Sequence, residues 1–314
     1  MDAVSSGVEA MSGKNVVIVG GTAGLGVGLL KSCVALRAAK IWLVCRSRQR
    51  GDKIKADFAE SATDISLVLA NLQSMAEVAA CAEAICAEGV AVDLIFLNAA
   101  IMPGSTAVMT CEGLEEGLAV NVCSQMLLSR LLVPALAPGA RFIITGSDAG
   151  AAVKWAVDIG TVNGDAPMGT IGFMQYARTK CLSHIIAAAL SDRMSSAGID
   201  AHACVFHPGA VDSQMGDNLA PWLAAIVKPI LRTFFRTPMT GATFGIHAAT
   251  VANPRSEVNR KYFEHGNLGK PRDYTPKAIP GAGSSEVCDA AWNHVEGLIA
   301  KALGKETLPP LIKT

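Results

Sequence analysis

The sequence predicts a three-layer α/β/α fold: a single domain built on a doubly wound parallel sheet. Three observations predict it. Short runs rich in Val, Ile, Leu and Phe alternate with longer stretches of helical period over the first two hundred residues. Those short runs are apolar on both faces, which suits strands covered by helices on each side rather than a half-exposed sheet. No linker rich in Pro, Gly or Ser interrupts the alternation before Pro276–Ser285, and alternation of this kind winds a parallel sheet through right-handed crossovers.

Taken in order, residues 1–13 read as a loose polar leader and 14–314 as the folded domain. Strands are expected at Asn15–Val19, Lys40–Cys45, Ile65–Ala70, Asp93–Leu97, Arg141–Thr145 and Ile199–Phe206. Helices are expected near Gly24–Ala38, Gln49–Glu60, Ser74–Glu88, Cys111–Leu136 and Met174–Ser195. Ser74 followed by Glu77 is a capping-box start. A last helix is expected over 284–303, where Val287, Ala291, Val295 and Ile299 recur every four residues.

Composition excludes several classes of function. The 314 residues carry 27 Lys plus Arg against 27 Asp plus Glu, without the basic excess of a nucleic-acid binder. With 51% apolar and 17% charged residues the chain is not disordered. The nine cysteines form no CxxC pair, which suits reduced, mostly buried thiols in a cytoplasmic-type compartment rather than a disulfide framework. No metal-ligand spacing occurs among the six histidines, so no metal is expected. The greasy stretches Val16–Leu30 and Leu219–Leu231 are broken by glycines, or by Pro221, Lys228 and Pro229, and neither reaches the roughly 20 residues of a membrane span.

The chemistry starts at the first strand, which runs into Val19-Gly20-Gly21-Thr22-Ala23-Gly24-Leu25-Gly26. Glycines let backbone amides approach a pyrophosphate, and the following helix offers its positive N-terminal end, so the context is that of a Rossmann-type dinucleotide site. The second strand ends in Cys45-Arg46-Ser47-Arg48. An arginine there suits the 2′-phosphate of NADP where an acid would suit NAD, and Ser47 stands beside it as a helper. Tyr176 and Lys180 stand four apart on a helical stretch and share a face. A neighbouring ammonium favours the tyrosinate, which would make the phenol a usable acid or base. By itself such a pair more often makes a surface contact. Ser147, just beyond the fifth strand, is at the carboxyl edge where ligands bind in this architecture, although a lone serine there is more often a helix cap or turn residue.

These residues, with Asn98-Ala99-Ala100, Asn121 and Pro208-Gly209-Ala210-Val211-Asp212-Ser213, stand in the order found in the short-chain dehydrogenase/reductase family, which the chain resembles over about residues 14–255. Val44-Cys45-Arg46, His207-Pro208-Gly209, the long gap from Ser147 to Tyr176 and Lys261-Tyr262-Phe263 are most similar to its retinol dehydrogenase-like and WW-domain oxidoreductase-like branch. A light-dependent protochlorophyllide reductase is a more distant likeness.

The resemblance implies a role for each position. Tyr176 exchanges a proton with the substrate oxygen, Lys180 holds the nicotinamide ribose and lowers the tyrosine pKa, and Ser147 bonds the substrate carbonyl. Asn121 interrupts its helix locally and helps a water-linked proton relay. Gly20, Thr22, Ala23, Gly24, Leu25 and Gly26 line the pyrophosphate. Asn71, Leu72, Asn98, Ala99 and Ala100 lie on the adenine side, and Pro208, Gly209, Val211 and Ser213 on the nicotinamide side. Val19, Asn71, Leu97 and Ala100 depart from the family's usual threonine, aspartate, asparagine and glycine.

The expected activity is therefore NADP(H)-dependent interconversion of a carbonyl and an alcohol on a lipophilic small molecule. The alternatives are NADPH-dependent reduction of a carbon–carbon double bond, and a nucleotide-binding sensor or scaffold without turnover. Residues 214–236, with Trp222, Leu223, Ile226, Val227, Ile230, Leu231, Phe234 and Phe235 at helical spacing, are expected to form a substrate lid that could dock on a membrane surface without spanning it. A homo-oligomer is compatible with the sequence.

Overall fold

The computed structural model of the chain describes residues 9–153, 159–169, 172–209, 211, 237–264 and 275–311. The expected lid at 214–236 and Ser213 lie outside the described residues. One sheet organises the fold, in the order β3-β2-β1-β4-β5-β6-β7-β8. Its strands are β1 Asn15–Val19, β2 Lys40–Cys45, β3 Asp64–Leu69, β4 Val92–Leu97, β5 Leu136–Thr145, β6 Ala201–His207, β7 Lys261–Glu264 and β8 Lys277–Ala278. All pairings are parallel except β8 on β7.

The helices are α1 Gly24–Ala35, α2 Arg48–Ala56, α3 Met75–Ala87, α4 Glu116–Leu118, α5 Ser124–Leu131, α6 Asp148–Ala152, α7 Phe173–Ser196, α8 Pro238–Thr250, α9 Pro254–Glu257 and α10 Ser285–Ala302. Side chains alternate across each strand. Val17 and Val19 therefore join the core under α3, α5, α7 and α10, while Val16 and Ile18 join the core under α1 and α8. Covered on both faces, the strands read as continuous apolar runs, as their sequences predict.

Several boundaries differ from expectation for local reasons. Helix α1 stops at Ala35 because Arg37 takes a left-handed φ of 62°. The Ala38 and Arg37 amides then bond the Cys33 and Val34 carbonyls, closing the end in a Schellman pattern. The helix expected from Cys111 starts only at Glu116, because the Glu115 carboxylate caps it by accepting from Gly117 N and Leu118 N. Strand β5 begins at Leu136, before the expected Arg141, and its register on β4 shifts between Val92 and Leu94. Helix α8 and strands β7 and β8 add to the elements expected.

Helix α8 lies directly on α1: a Cβ built on Gly28 would sit 2.2 Å from the Pro238 carbonyl oxygen. The Arg141 guanidinium holds the far end of α8 by donating to the carbonyls of Ala248, Ala249 and Val251, where a cation also meets the negative end of the helix. At the other terminus, Met11 is fully buried in the core beside β1, so the end of the expected leader is docked.

Candidate active site

The carboxyl ends of β1, β4, β5 and β6 converge on one edge of the sheet. After β1, Gly20 turns the chain with a φ of 81° while its amide bonds the Val44 carbonyl. Gly26 lets α1 press back onto that turn, since a Cβ there would lie 2.0 Å from the Gly20 carbonyl oxygen. Ala23, the residue that begins α1, supplies no side-chain cap. The first amides of α1 are thus without a side-chain acceptor at the carboxyl edge, the disposition that receives an anion such as pyrophosphate.

Asn98 braces this turn. Its Nδ2 donates to the Gly20 carbonyl at 3.1 Å, and its Oδ1 accepts from Thr145 Oγ1 at 3.2 Å. The Thr145 carbonyl in turn accepts from Lys180 Nζ at 2.7 Å. Asn98, directly after β4, and Thr145, the last residue of β5, therefore tie the glycine turn to the lysine. Ala99 continues the bracing: its amide bonds the Val19 carbonyl and its carbonyl accepts from Gln125 Nε2 at 3.0 Å.

Asn121 lies in a single π-helical turn, Ala119–Cys123, between α4 and α5. Turns of this type are rare and gather at functional sites. Its side chain is fully buried and fully spent: Oδ1 accepts from Ile101 N at 2.8 Å, while Nδ2 donates to the Ile101 carbonyl and to Thr179 Oγ1, both at 2.9 Å. The local interruption expected at Asn121 is present. The amide, however, clamps the loop after β4 to the helix carrying Tyr176, and both of its N–H bonds are committed.

Tyr176 and Lys180 share a face of α7, both buried, with Nζ 5.9 Å from the centre of the phenol ring. Burial pushes the Tyr176 phenol above its ordinary range, and a hydrogen bond with the Ser147 side chain opposes that rise. Burial also lowers Lys180 to about 8. The sequence argument, an ammonium lowering the phenol, is outweighed here because desolvation disfavours both charged forms. Ser147 caps α6, the plainer of the two roles the sequence allowed, its Oγ accepting from Ala149 N at 3.2 Å, and its side chain also bonds the tyrosine. Since Oγ accepts from the backbone, its own proton is left to donate.

The remaining positions divide. Arg46 is exposed at the end of β2, and Ser47 caps α2 by accepting from Arg50 N at 3.3 Å. Asn71 Oδ1 accepts from Gln73 N, and Asn71 N donates to Glu77, which links this residue to the start of α3. Ser74 accepts from Glu77 N as a capping box requires, but the glutamate returns its bond to Asn71 rather than to Ser74. Pro208 and Val211 pack under α8, where a Cβ on Gly241 would meet Val211 Cγ2 at 2.6 Å.

Sequence reasoning missed three polar residues that hold the site. Glu115, fully buried, caps α4 and accepts from Gln175 Nε2 at 2.8 Å, next to Tyr176. Thr179 links Asn121 to the Tyr176 carbonyl, to which it donates at 2.8 Å. His184, one turn beyond Lys180, accepts from Ser147 N at 3.3 Å. Among the described residues, no group of His, Cys, Asp and Glu side chains is disposed to hold a metal ion.

The family model described as short chain dehydrogenase matches residues 14–224. The chain belongs to this family. Its similarity to curated members places it in the retinol dehydrogenase-like branch. It is 27% identical to dehydrogenase/reductase SDR family member 13 of Homo sapiens over 96% of this chain and 78% of that protein. The form from Bos taurus matches over 77% of this chain and 64% of its own length, under two thirds of that relative. Retinol dehydrogenase 12 of Bos taurus is 27% identical over 80% of this chain and 77% of its own. Among solved structures, a short chain dehydrogenase from Burkholderia cenocepacia in complex with NADP superposes with a TM-score of 0.63. It covers 81% of this short chain dehydrogenase and 96% of its own chain at 19% identity, a likeness of fold.

Proposed function

We propose that this short chain dehydrogenase interconverts a carbonyl and an alcohol on a lipophilic small molecule with NADP(H). The observation that carries the reading is the convergence of Tyr176, Ser147 and Lys180 at the edge where the uncapped start of α1 could receive a pyrophosphate, the two halves tied through Asn98 and Thr145. A bound reduced nicotinamide would supply the hydride, the chemistry the protein itself lacks. The Ser147 hydroxyl donates to the carbonyl oxygen, and Tyr176 delivers its proton to that oxygen as negative charge develops there. Lys180 stabilises the tyrosinate left behind; with a pKa of about 8 it is mostly cationic at neutral pH. Asn121 acts by fixing the loop at Ile101 against α7.

The phosphate preference rests on Arg46 at the end of β2, where no acid stands, and the NADP complex of the Burkholderia relative supports it. The retinol dehydrogenase among its relatives supports a lipophilic alcohol or aldehyde. Nine free thiols fit a reducing, cytoplasmic-type compartment. Among the described residues no helix is long and apolar enough to cross a membrane. The test is a panel of lipophilic aldehydes and ketones incubated with NADPH and with NADH, followed by the loss of reduced-nicotinamide absorbance. Turnover of at least one carbonyl, faster with NADPH, is expected; no turnover across the panel would overturn the reading.

A further inference from the structure

His184 is fully buried, although an imidazole is a costly group to bury without a task. It stands on α7 one turn beyond Lys180, pressed against the turn that carries Ser147. Two glycines make that approach possible. A Cβ on Gly146 would sit 2.6 Å from His184 Nε2, and one on Gly150 would sit 3.1 Å from its Cε1 and 2.7 Å from the Cys181 amide nitrogen. Real Cβ atoms do not approach as closely as 2.6 or 2.7 Å, so the start of α6 is shaped to receive the ring.

Through that gap the Ser147 amide donates to Nε2 at 3.3 Å. The opposite nitrogen, Nδ1, has no hydrogen-bond partner among the described residues, with the Pro280 backbone near the ring, so the bond to Ser147 is the imidazole's principal polar contact. The Tyr262 ring meets it edge-on with centroids 5.5 Å apart. Asp148, whose carboxylate pairs with His207 Nε2 at 3.0 Å, lies on the α6 side, and Lys180 on its own helix.

The geometry points to His184 as a positioning residue: a neutral acceptor on α7 that holds the Ser147 backbone, and through it the serine hydroxyl, in register with Tyr176. The inference rests on the carbonyl–alcohol reading above. It follows from where the two catalytic side chains come from. Tyr176 rides on α7 and Ser147 on the turn after β5, and the contact from His184 Nε2 to the Ser147 amide joins these two bodies directly. Burial, with Lys180 and His207 nearby, holds the imidazole down at about 3. It therefore stays an acceptor at every working pH, with its proton on Nδ1.

A double-mutant cycle with Ser147→Ala tests the role. His184→Leu should lower kcat about tenfold, the size expected when a reacting group drifts by a fraction of an ångström, with KM and NADPH affinity within about twofold. His184→Gln, which can still accept from the Ser147 amide, should recover kcat to within about threefold. In the Ser147→Ala background His184→Leu should cost less than about twofold. Equal losses for Leu and Gln, or a full tenfold loss on top of Ser147→Ala, would overturn the proposal. A second measurement needs no turnover and no Leu variant. The 15N spectrum of the imidazoles, with His184 assigned by its loss in His184→Gln, should show the Nδ1–H tautomer unprotonated down to pH 5. An Nε2–H tautomer would overturn the assignment even in an active enzyme. An inactive wild type with the Nδ1–H signature would instead sink the oxidoreductase reading and keep the contact.

Discussion

On the β1 side of the site the polar groups at the carboxyl edge are backbone amides, those of the glycine turn and the first turn of α1. On the β5 side they are side chains: Ser147, Tyr176 and Lys180, held by Asn121, Thr179, Glu115 and His184. The difference decides what each side tolerates. A backbone site is indifferent to many side chains but cannot accept a Cβ where two segments touch. A side-chain site accepts changes of shape only if every buried hydrogen bond is replaced, because an orphaned partner costs about 1–3 kcal/mol. The departures at Val19 and Ala100 lie along the backbone-built side, where they leave the turn at Gly20 and the brace from Asn98 in place.

The largest effect expected from breaking the backbone side is at Gly26. Gly26→Ala puts a methyl into the Gly20 carbonyl, and a turn that must move by about an ångström should weaken NADPH and NADH alike by about 100-fold, measured by fluorescence titration. Arg46→Ala sharpens the same comparison, since Arg46 is the one side chain to which we give a binding role on that side. Losing a charge-assisted phosphate contact should cost NADPH affinity about 10–150-fold and leave NADH nearly unchanged. A proportionate loss for both cofactors would show that the backbone alone binds.

The smallest effect concerns acid. In the folded protein burial holds His184 neutral down to about 3, while the unfolded chain takes up a proton near the ordinary value of 6.5. Below that ordinary value the unfolded state binds the extra proton, so stability falls as pH falls. Between pH 6.5 and 5.5 this one group should remove about 1 kcal/mol, a loss that His184→Gln escapes. Urea unfolding of both proteins at the two pH values checks the difference. Asp148, held below its usual range chiefly by the hydrogen bond to His207, adds a loss of the same sign at lower pH in both proteins.

The backbone side was legible in the sequence and the side-chain side only in part, for a physical reason. Strands β1 and β2 and the glycine turn are local patterns: apolar runs buried on both faces, ending where small residues let the chain turn. The bounds read at Asn15–Val19 and Lys40–Cys45 are those observed. Tyr176 and Lys180 were legible because one helical turn joins them. Ser147 and His184 are partners across 37 positions of sequence, and no local period reports such a pair. The interruption at Asn121 was expected only through the family resemblance, because an added residue in a turn buried on all sides leaves the apolar pattern unbroken. Strand β7, four residues long, is too short for its alternation to register, and α8, which Thr237 caps with Pro238 at N1, was not expected.

The most direct test of the account is Tyr176→Phe, assayed on one preparation for both NADPH affinity and turnover of the best carbonyl from the panel. The ring keeps its volume on α7 while the site loses its proton donor. Turnover should fall by about 10²–10⁴-fold with NADPH affinity within about threefold of wild type. A variant that keeps more than about a tenth of the wild-type rate would contradict the assignment of Tyr176 as the acid.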